Sequence, residues 1–400
     1  MELTDVRRLT GPNYLLDRAG AAAEIVWESG DSLDVDNILD QLKTRLEELL
    51  AAVDWDMEEI VTRTYPGGGS VYMSAPIDAL YSATSLIEAA YDLWLDGVQG
   101  VPSGVLEKLK TEIEEERHPG LLRLRDAARE KALAFLSDDD EVSIGLGQGR
   151  ILWDVKDIPV ADDAAWDTAS NIPVALVTGT NGKSTTVRLA CAIAAKAGHT
   201  VASSSSDYVR VGDITLDEGD YSGPGGARMA LRDPRADMAI LETARGGLMR
   251  RGLPVTGAQA CLITNVSADH LGEYGITDVP SLADAKFMLA KATDPQGRLV
   301  LNYDDPELVA RAKNFDGQIT WYGLSMTDAL VEQCQSRGDH AAFVKDGVMM
   351  IMTGHEPEAV LAIEDFPISM GGAAKFNISN GLGAMALTSA LGIGNGAMAS

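Results

Sequence analysis

The sequence has very little cysteine. Three cysteines occur in 400 residues, at Cys191, Cys261 and Cys334, and no two of them form a C-x-x-C pair. This spacing excludes a disulfide framework and a cysteine-based zinc site. We therefore expect a reducing, cytoplasmic location.

Basic residues are scarce relative to acidic ones. The chain has 33 Lys and Arg residues against 60 Asp and Glu residues, which gives a formal net charge of -27. A surface this acidic repels nucleic acid and anionic membranes, so we expect neither as a partner. General solubility or adaptation to salt is the simpler interpretation of the same charge.

Long apolar runs are missing as well. No run approaches the length of about 18 residues that a membrane-spanning helix needs, and the N-terminus lacks the pattern of a signal peptide. With 46% hydrophobic and 23% charged residues, the composition is that of a soluble globular protein. The length predicts two or three domains.

Two regions of different pattern follow one another along the chain. Residues 1–155 carry helical stripes of apolar residues, as in "ILDQLKTRLEELLAAVDW", and we expect a mainly helical α+β region. The glycine-rich stretch "YPGGGSVYMSAP" within it is predicted to be a loop. Residues 156–172 are polar and flanked by proline, which predicts a linker. Residues 173–400 alternate short apolar runs with helix-like segments, which indicates an α/β domain with a mostly parallel sheet.

The stretch "VTGTNGKSTT", Val177–Thr186, lies between a β-rich apolar run and a helix-like segment. It matches the phosphate-binding pattern G-x-x-x-x-G-K-[ST], except that Val177 replaces the first glycine. In such loops, backbone N–H groups and the helix N-terminus bind phosphate oxygens, the lysine adds positive charge and the serine can ligate Mg²⁺. The sequence therefore predicts a nucleotide and Mg²⁺ site whose nucleotide-binding residues are Gly179, Thr180, Asn181, Gly182, Lys183, Ser184 and Thr185.

Other polar residues follow apolar runs where we expect the carboxyl ends of strands. In an open α/β sheet, these ends form the ligand crevice. A last helix-like segment carries Asn377 and Asn380 on one face, one turn apart. The residues at the predicted strand ends are Glu242, Asn265, Asp269, His270, Asn302, Asp304 and Asp305.

The motifs "GTNGKS", "ETARGGLMRRGL" and "NVSADHLG" together resemble those of the Mur ligase superfamily, in which the first glycine of the loop is often replaced. Residues of about 173–395 are most similar to the C-terminal, Mur ligase-like module of cyanophycin synthetases. The opening "RRLTGPNYL" is weakly similar to the N-terminal region of that family. The resemblance implies a P-loop central ATP-binding domain over residues 173–400.

The resemblance also implies roles for individual residues. Ser184 and Glu242 would hold one Mg²⁺, and His270 would contact a second. Lys286 follows His270 by 16 residues and corresponds to a lysine that is carbamylated in many members. An ordinary surface lysine is the alternative, and Lys291 is a nearby competitor.

Two asparagines complete the implied site. Asn377 or Asn380 would contact the adenine edge, and helix packing or capping is the alternative for both. The implied catalytic residues are Lys183, His270 and Lys286.

The function implied by the resemblance is an ATP-dependent carboxylate–amine ligase that joins an amino acid or peptide through an acyl phosphate. A nucleotide-binding scaffold without ligase activity is the alternative, and the three motifs fit a P-loop kinase or NTPase less well. Mur ligases normally continue into a C-terminal domain that is not apparent before Ser400, so we expect a fragment of a longer protein. The sequence leaves homo-oligomer formation open.

Overall fold

A computed structural model of the chain describes residues 1–27, 34–354 and 356–399. Its N-terminal part is a four-stranded antiparallel sheet of order β1-β2-β4-β3, and apolar side chains of three helices pack against it to form one core. This region confirms the α+β class, and the sequence had located its helices better than its strands. The elements are β1 Glu2–Leu9, β2 Gly20–Val26, α1 Val35–Ala52, β3 Ile60–Tyr65, β4 Gly68–Ser74 and α2 Leu80–Leu95.

The glycine-rich stretch predicted to be a loop is largely a strand. Gly68–Ser74 is buried along its whole length and pairs with both β2 and β3, so the loop prediction was wrong. A Cβ atom on Gly68 would lie within 2.5 Å of the Tyr65 ring, and one on Gly69 would lie 2.8 Å from Leu39. These glycines therefore serve close packing within a sheet, not the mobility of a loop.

A small antiparallel sheet follows the third of these helices and one more. It has the order β5-β6-β7, and the turn between its last two strands contains the 3-10 helix Gly147–Gly149. Short 3-10 turns occupy much of the segment from 155 to 168. The elements are α3 Ser103–Glu116, α4 Pro119–Glu130, β5 Phe135–Ser137, β6 Glu141–Ile144 and β7 Ile151–Asp154.

The largest element of the fold is an eleven-stranded sheet. Its order is β11-β10-β9-β12-β8-β13-β14-β15-β16-β17-β18, and the seven strands from β9 to β16 in this order run parallel. Antiparallel strands extend both edges, which confirms the predicted mostly parallel α/β class. The strands are β8 Val174–Thr178, β9 Val201–Ser204, β10 Tyr208–Val211, β11 Ile214–Glu218, β12 Met238–Glu242, β13 Ala258–Ile263, β14 Thr293–Asn302, β15 Gln318–Gly323, β16 His340–Lys345, β17 Val348–Met352 and β18 Glu358–Ala362.

Helices cover both faces of this sheet, because successive side chains of a buried parallel strand point to opposite sides. Ala175 and Val177 pack with α5, α11 and α12 in one core, and Leu176 packs with the other helices in a second core. The helices are α5 Lys183–Lys196, α6 Pro224–Leu231, α7 Arg245–Arg251, α8 Val279–Phe287, α9 Pro306–Ala312, α10 Asp328–Arg337, α11 Lys375–Ala390 and α12 Asn395–Met398.

Two further observations concern the sequence predictions. Within the part of the chain that the structure describes, no helix has the length and apolarity needed to cross a membrane. Ser400, at which we expected an interruption, lies outside the described residues. The domain boundaries at 155 and 172 stay predictions.

Candidate nucleotide-binding site

The loop between β8 and α5 requires glycine at two positions. Gly179 has φ 144° and Gly182 has φ 83°, both in the region that side chains disfavour. A Cβ atom on Gly179 would lie 1.8 Å from Thr264 Oγ1, and one on Gly182 would lie 2.2 Å from Asn380 Oδ1. The loop is therefore packed tightly between the end of β13 and helix α11, which places Asn380 directly beside it.

The end of β13 also fixes the loop by hydrogen bonds. Asn265 Oδ1 accepts a bond from the Asn181 N–H at 3.0 Å, and Asn265 Nδ2 donates to the Asn181 carbonyl at 3.0 Å. Thr264 Oγ1 donates to the same carbonyl at 2.6 Å. Asn302 in turn donates to the Thr264 carbonyl at 2.9 Å. Asn265 and Asn302, which we expected to face a ligand, thus hold the loop in shape.

The two aspartates expected at the next strand end are likewise engaged within the protein. Asp305 accepts from the Val266 N–H at 2.6 Å and caps the N-terminus of α9. Asp304 accepts from the Leu324 N–H at 2.7 Å and from the Ser325 N–H at 3.1 Å. Both carboxylates stabilise neighbouring loops of the crevice.

Lys183 and Ser184 begin helix α5, so they lie where its unpaired N–H groups and positive dipole end are found. Lys183 Nζ donates to the Thr180 carbonyl at 3.0 Å and so curls over the loop. Ser184 Oγ lies 3.4 Å from Ser206 Oγ, just beyond the end of β9. One ammonium group and two hydroxyl groups, those of Lys183, Ser184 and Ser206, thus lie around the N-terminus of α5.

Glu242 ends the neighbouring strand β12 and pairs in register with Val177 of β8. It is 2% exposed, and its Oε2 atom has no hydrogen-bond partner among the described residues. Burial raises the pKa of Glu242, and Ser184, Lys183 and the Ser206 N–H oppose that rise. A buried carboxylate oxygen without a partner is a costly arrangement that a bound cation would relieve.

Hydroxyl groups without partners occur around the same edge of the sheet. They lie at the ends of β8, β9 and β12 and near the start of α5. All are buried, and none has a hydrogen-bond partner among the described residues. Since buried polar atoms are normally hydrogen-bonded, this concentration marks the edge as a place for a polar ligand. The atoms are the side-chain oxygens of Thr178, Thr186, Ser204 and Thr243.

His270 lies on the segment between β13 and α8. Its side chain is 70% exposed, and its Nε2 atom lies 3.6 Å from Asp269 Oδ1. Its backbone has φ 48°, and its carbonyl accepts a bond from Arg245 Nη1 at 2.8 Å. Within residues 1–27, 34–354 and 356–399, no group of three or more His, Cys, Asp or Glu residues could hold a metal. The role of His270 at a second Mg²⁺ stays a prediction.

Lys286 is buried in α8, with 4% of its surface exposed, and it is therefore not a surface lysine. No hydrogen bond or ion pair reaches its ammonium group from the described residues. Burial, together with the nearby charges of Lys183 and Arg245 and against the opposing charge of Asp269, lowers the pKa of Lys286 to about 7. Lys291, the competitor, pairs with Asp17 at 2.7 Å. The electrostatic coupling to Lys183 links Lys286 to the loop.

The two candidate adenine contacts differ in the structure. Asn377 Nδ2 donates to the Ile368 carbonyl at 2.7 Å, which is the packing alternative for that residue. The Asn380 side chain lies against the loop at Gly182. Ser206 was missed by the sequence reasoning, although the run of serines after β9 could have indicated a polar strand end.

A comparison with protein families decides the class of this domain. The model of the Mur ligase middle domain matches residues 177–388, which is just over half of the chain. The chain belongs to the Mur ligase family. The resemblance read from the motifs is thereby confirmed, and the matched range includes the loop, Glu242, His270, Lys286 and both asparagines.

Relatives of this Mur ligase family member include several cyanophycin synthetases. That of Synechocystis sp. is 37% identical over 217 residues, which cover 54% of this chain and 25% of the relative. The UDP-N-acetylmuramoylalanine–D-glutamate ligase of Chlorobium limicola is 30% identical over 236 residues, 58% of this chain and 46% of that protein. The chain thus spans about a quarter of the length of the cyanophycin synthetases it matches.

Solved structures give a weaker likeness. A UDP-N-acetylmuramoyl-L-alanyl-D-glutamate–2,6-diaminopimelate ligase is 20% identical, with a TM-score of 0.43, and covers 58% of this chain and 46% of its own. An overlap this partial adds no weight to the assignment.

Proposed function

We propose that this protein binds Mg-ATP and uses it to join a carboxylate to an amine. The observation that carries the proposal is the buried Glu242, whose free oxygen lies at the strand end beside the phosphate-binding loop. A carboxylate and hydroxyl groups are the hard oxygen ligands that Mg²⁺ prefers. The tight Gly179–Gly182 turn and the open N-terminus of α5 supply the complementary place for phosphates.

Each residue has a distinct role in this proposal. Lys183 would leave the Thr180 carbonyl and neutralise charge on the outer phosphates. Ser184 and Glu242 would ligate Mg²⁺, with Ser206 as a further hydroxyl beside them. The metal, when bound, would offset the negative charge that develops during phosphoryl transfer. Asn380 would meet the nucleotide where it flanks the loop.

The reaction that we propose for this arrangement proceeds through an acyl phosphate. A substrate carboxylate attacks the γ-phosphorus of ATP, ADP leaves, and an acyl phosphate forms. An amine then attacks the acyl carbon, phosphate leaves, and the amide forms with loss of one proton from the nitrogen. Positioning and charge neutralisation supply most of the catalysis in phosphoryl transfer, so the site needs cations more than a nucleophilic side chain.

Lys286 fits a role as a modified residue in this scheme. A lysine with a pKa near 7 is partly a free amine at neutral pH, and a free amine adds to CO₂ to give a carbamate and a proton. The carbamate would convert a buried cation beside Lys183 and Arg245 into an anion that these cations stabilise. His270 would then act with it on the metal side of the site.

The substrates belong to the class of amino acids or peptides. The names of the relatives describe such additions, for example of D-glutamate to a UDP-linked muramoylalanine. A scaffold that binds nucleotide without ligation is the competing function. Amine-dependent release of ADP separates the two, because a scaffold releases none in response to an added amine.

Calorimetric titration of ATP into Lys183→Ala tests the nucleotide site. We expect ATP affinity to fall by about 100-fold, because one preorganised cation on the phosphates is lost. Lys196→Ala is the matched control, since Lys196 lies exposed in the last turn of the same helix, and its affinity should equal that of wild type. Wild-type affinity in Lys183→Ala would refute the phosphate-binding role of the loop.

A panel of amines tests the ligase reaction. ADP release should require both a carboxylate substrate and one class of amino acid or peptide amine. If nucleotide binds with the expected dependence on Lys183, but no amine in a panel of acidic, basic and neutral amino acids promotes ADP release, the scaffold function replaces the ligase.

A further inference from the structure

The segment that carries His270 adopts an unfavourable backbone conformation. We call residues 267–278, between β13 and α8, the His270 segment. Two of its non-glycine residues, His270 at φ 48° and Tyr274 at φ 54°, are in the left-handed region. Such conformations persist only where the surroundings impose them, and they concentrate at functional sites. Groups outside the segment must therefore hold it.

One set of restraints comes from the ligase domain itself. Arg245, at the start of α7, donates to the His270 carbonyl at 2.8 Å and forms an ion pair with Glu273. The Arg245 side chain is 9% exposed and lies 6.0 Å from the centre of the Tyr274 ring. Arg245 thus fixes the first half of the His270 segment, at the residue whose side chain would face the metal.

The second set comes from the N-terminal sheet, more than 200 residues away in sequence. Arg63 Nη2, on β3, donates to the Tyr274 carbonyl at 2.7 Å. Gly275 packs so closely that a Cβ atom there would lie 2.2 Å from the Tyr65 ring and 2.6 Å from Arg63 Nη2. Residues of β3 therefore hold the second half of the same segment.

These β3 residues are themselves anchored within the N-terminal sheet. Glu24 is 4% exposed and accepts bonds from Tyr65 at 3.1 Å and Ser70 at 2.6 Å. It also pairs with Arg7 at 2.7 Å, and the Arg7 guanidinium lies 5.1 Å from the centre of the Tyr274 ring. Tyr65 is thereby tied to buried groups of the N-terminal sheet, and the Arg63 guanidinium lies 5.4 Å from the centre of the Tyr65 ring.

We infer that Arg63 is a positioning residue of the active site, and that the N-terminal sheet sets the conformation of the His270 segment. The inference rests on the proposed function, because His270 and Arg245 matter only if this crevice binds the metal–nucleotide complex. Arg63 contacts the backbone of the segment and acts through it on His270. Without Arg63, the strained backbone at Tyr274 loses its only hydrogen bond from a side chain of the described N-terminal residues.

The competing explanation is that Arg63 only helps to dock the two domains. Contacts that do not involve Arg63 allow the two explanations to be tested separately. The Thr10 N–H donates to the Arg251 carbonyl at 2.8 Å, the Leu253 N–H donates to the Pro12 carbonyl at 2.7 Å, and Lys291 pairs with Asp17. These contacts hold the domains together without Arg63. If docking were the whole role, replacing Arg63 would change stability and leave the metal dependence of nucleotide binding unaltered.

The experiment compares ATP affinity with and without Mg²⁺ in Arg63→Met, which keeps an unbranched apolar stem and removes the guanidinium donors. We expect Mg-ATP affinity to fall by about fivefold and metal-free ATP affinity to change by less than about twofold, a coupling of ordinary size between packed sites. Faster hydrogen exchange across residues 270–276 should accompany the loss.

Arg45→Met is the matched control. Arg45 lies on α1 of the same region, pairs with Glu48 and donates to the Gly100 carbonyl at 3.3 Å, away from the His270 segment. It should leave both affinities unchanged. Equal Mg-ATP losses in Arg45→Met and Arg63→Met, or no Mg²⁺-specific loss in Arg63→Met, would overturn the inference.

Two additions keep the outcome decisive. If Arg63→Met does not fold, Arg63→Lys carries the test: it keeps the charge but has one donor group in place of the guanidinium fork, and a smaller Mg²⁺-specific loss is expected. If Arg63→Lys shows no Mg²⁺-specific loss of affinity, the result counts against the inference. Lys183→Ala distinguishes the two levels, because a normal ATP affinity in that variant removes the proposed function, whereas a Mg²⁺-insensitive Arg63 variant removes only the positioning role.

Discussion

The two sheets of this protein treat a buried glutamate in opposite ways. Glu24, in the N-terminal sheet, is 4% exposed and is paired with Arg7 and hydrogen-bonded by Tyr65 and Ser70. Glu242, in the eleven-stranded sheet, is 2% exposed and has one oxygen without a partner among the described residues. The same side chain is thus compensated within the chain at one place and left incomplete at the other.

The difference separates structure from function without reference to any relative. A buried charge is tolerated when paired and hydrogen-bonded, and its removal then leaves other groups unpaired. A buried charge that is incompletely paired lowers stability and acquires its partner from a ligand. Glu24 should therefore matter for folding, and Glu242 for binding.

The largest expected effect is on stability, at Glu24. Glu24→Gln removes the buried one of the two carboxylates that pair with Arg7, the other being Asp5, so we expect the free energy of unfolding to fall by about 3 kcal/mol. Denaturant unfolding followed by circular dichroism measures this. Glu114→Gln is the control, because Glu114 is 80% exposed and its substitution should change stability by less than about 0.5 kcal/mol. If Glu24→Gln lowers the free energy of unfolding no more than Glu114→Gln does, the structural role assigned to Glu24 is wrong.

The next effect is on metal-dependent binding, at Glu242. Glu242→Gln keeps the shape and removes the charge, so Mg-ATP affinity should fall by at least about 10-fold, with a smaller loss for metal-free ATP. The free energy of unfolding should stay equal or rise, because a buried carboxylate with a raised pKa is removed. Calorimetry and denaturant unfolding of one preparation give both numbers. Equal losses with and without Mg²⁺ would indicate a packing role.

The last effect is a pH dependence of stability, at Lys286. Its pKa of about 7 in the folded protein lies below its ordinary value of 10.5, so between these values the unfolded chain binds more protons. Wild-type stability should therefore rise with pH over this interval relative to Lys286→Met, by at most about 1.4 kcal/mol per pH unit. Below about pH 7 the methionine variant should be the more stable of the two.

Unfolding at pH 6, 7.5 and 9 in bicarbonate-free buffer measures this difference, since bicarbonate would promote a carbamate. Lys291→Met is the matched control for removing a neighbouring lysine, because Lys291 is partly exposed and paired with Asp17. A Lys286→Met difference that is flat with pH would contradict a buried, neutral amine.

The sequence predicted those parts of the site that depend on local geometry. The loop at Gly179–Gly182 was recognisable because its turn, its lysine and the following helix are adjacent in the chain. Glu242 was recognisable because it ends an apolar run. Ser206 was missed because its neighbours Ser184 and Glu242 come together only through the strand order β9-β12-β8.

The N-terminal region shows where such reasoning stops. Strand β4 was taken for a loop because its glycines are read locally as breakers, whereas their effect depends on Tyr65 and Leu39 packing against them. The bond from Arg63 to the Tyr274 carbonyl joins residues 211 positions apart, and no spacing rule reaches that far. The alanine-rich strand β2 shows no alternation of apolar and polar residues that would have predicted a strand, because it is buried on both faces.

The contact between the two regions has a property that concerns how related proteins vary. Several of its hydrogen bonds end on main-chain carbonyl oxygens, which every amino acid supplies. Substitutions at these acceptor positions would leave the bonds in place, so paired changes across the contact should be rare even in distant relatives. Residue covariation would then under-report an interface in which many acceptors are main-chain atoms. The acceptors are the carbonyls of Arg251, Pro12, Met249, Tyr274 and Asn13.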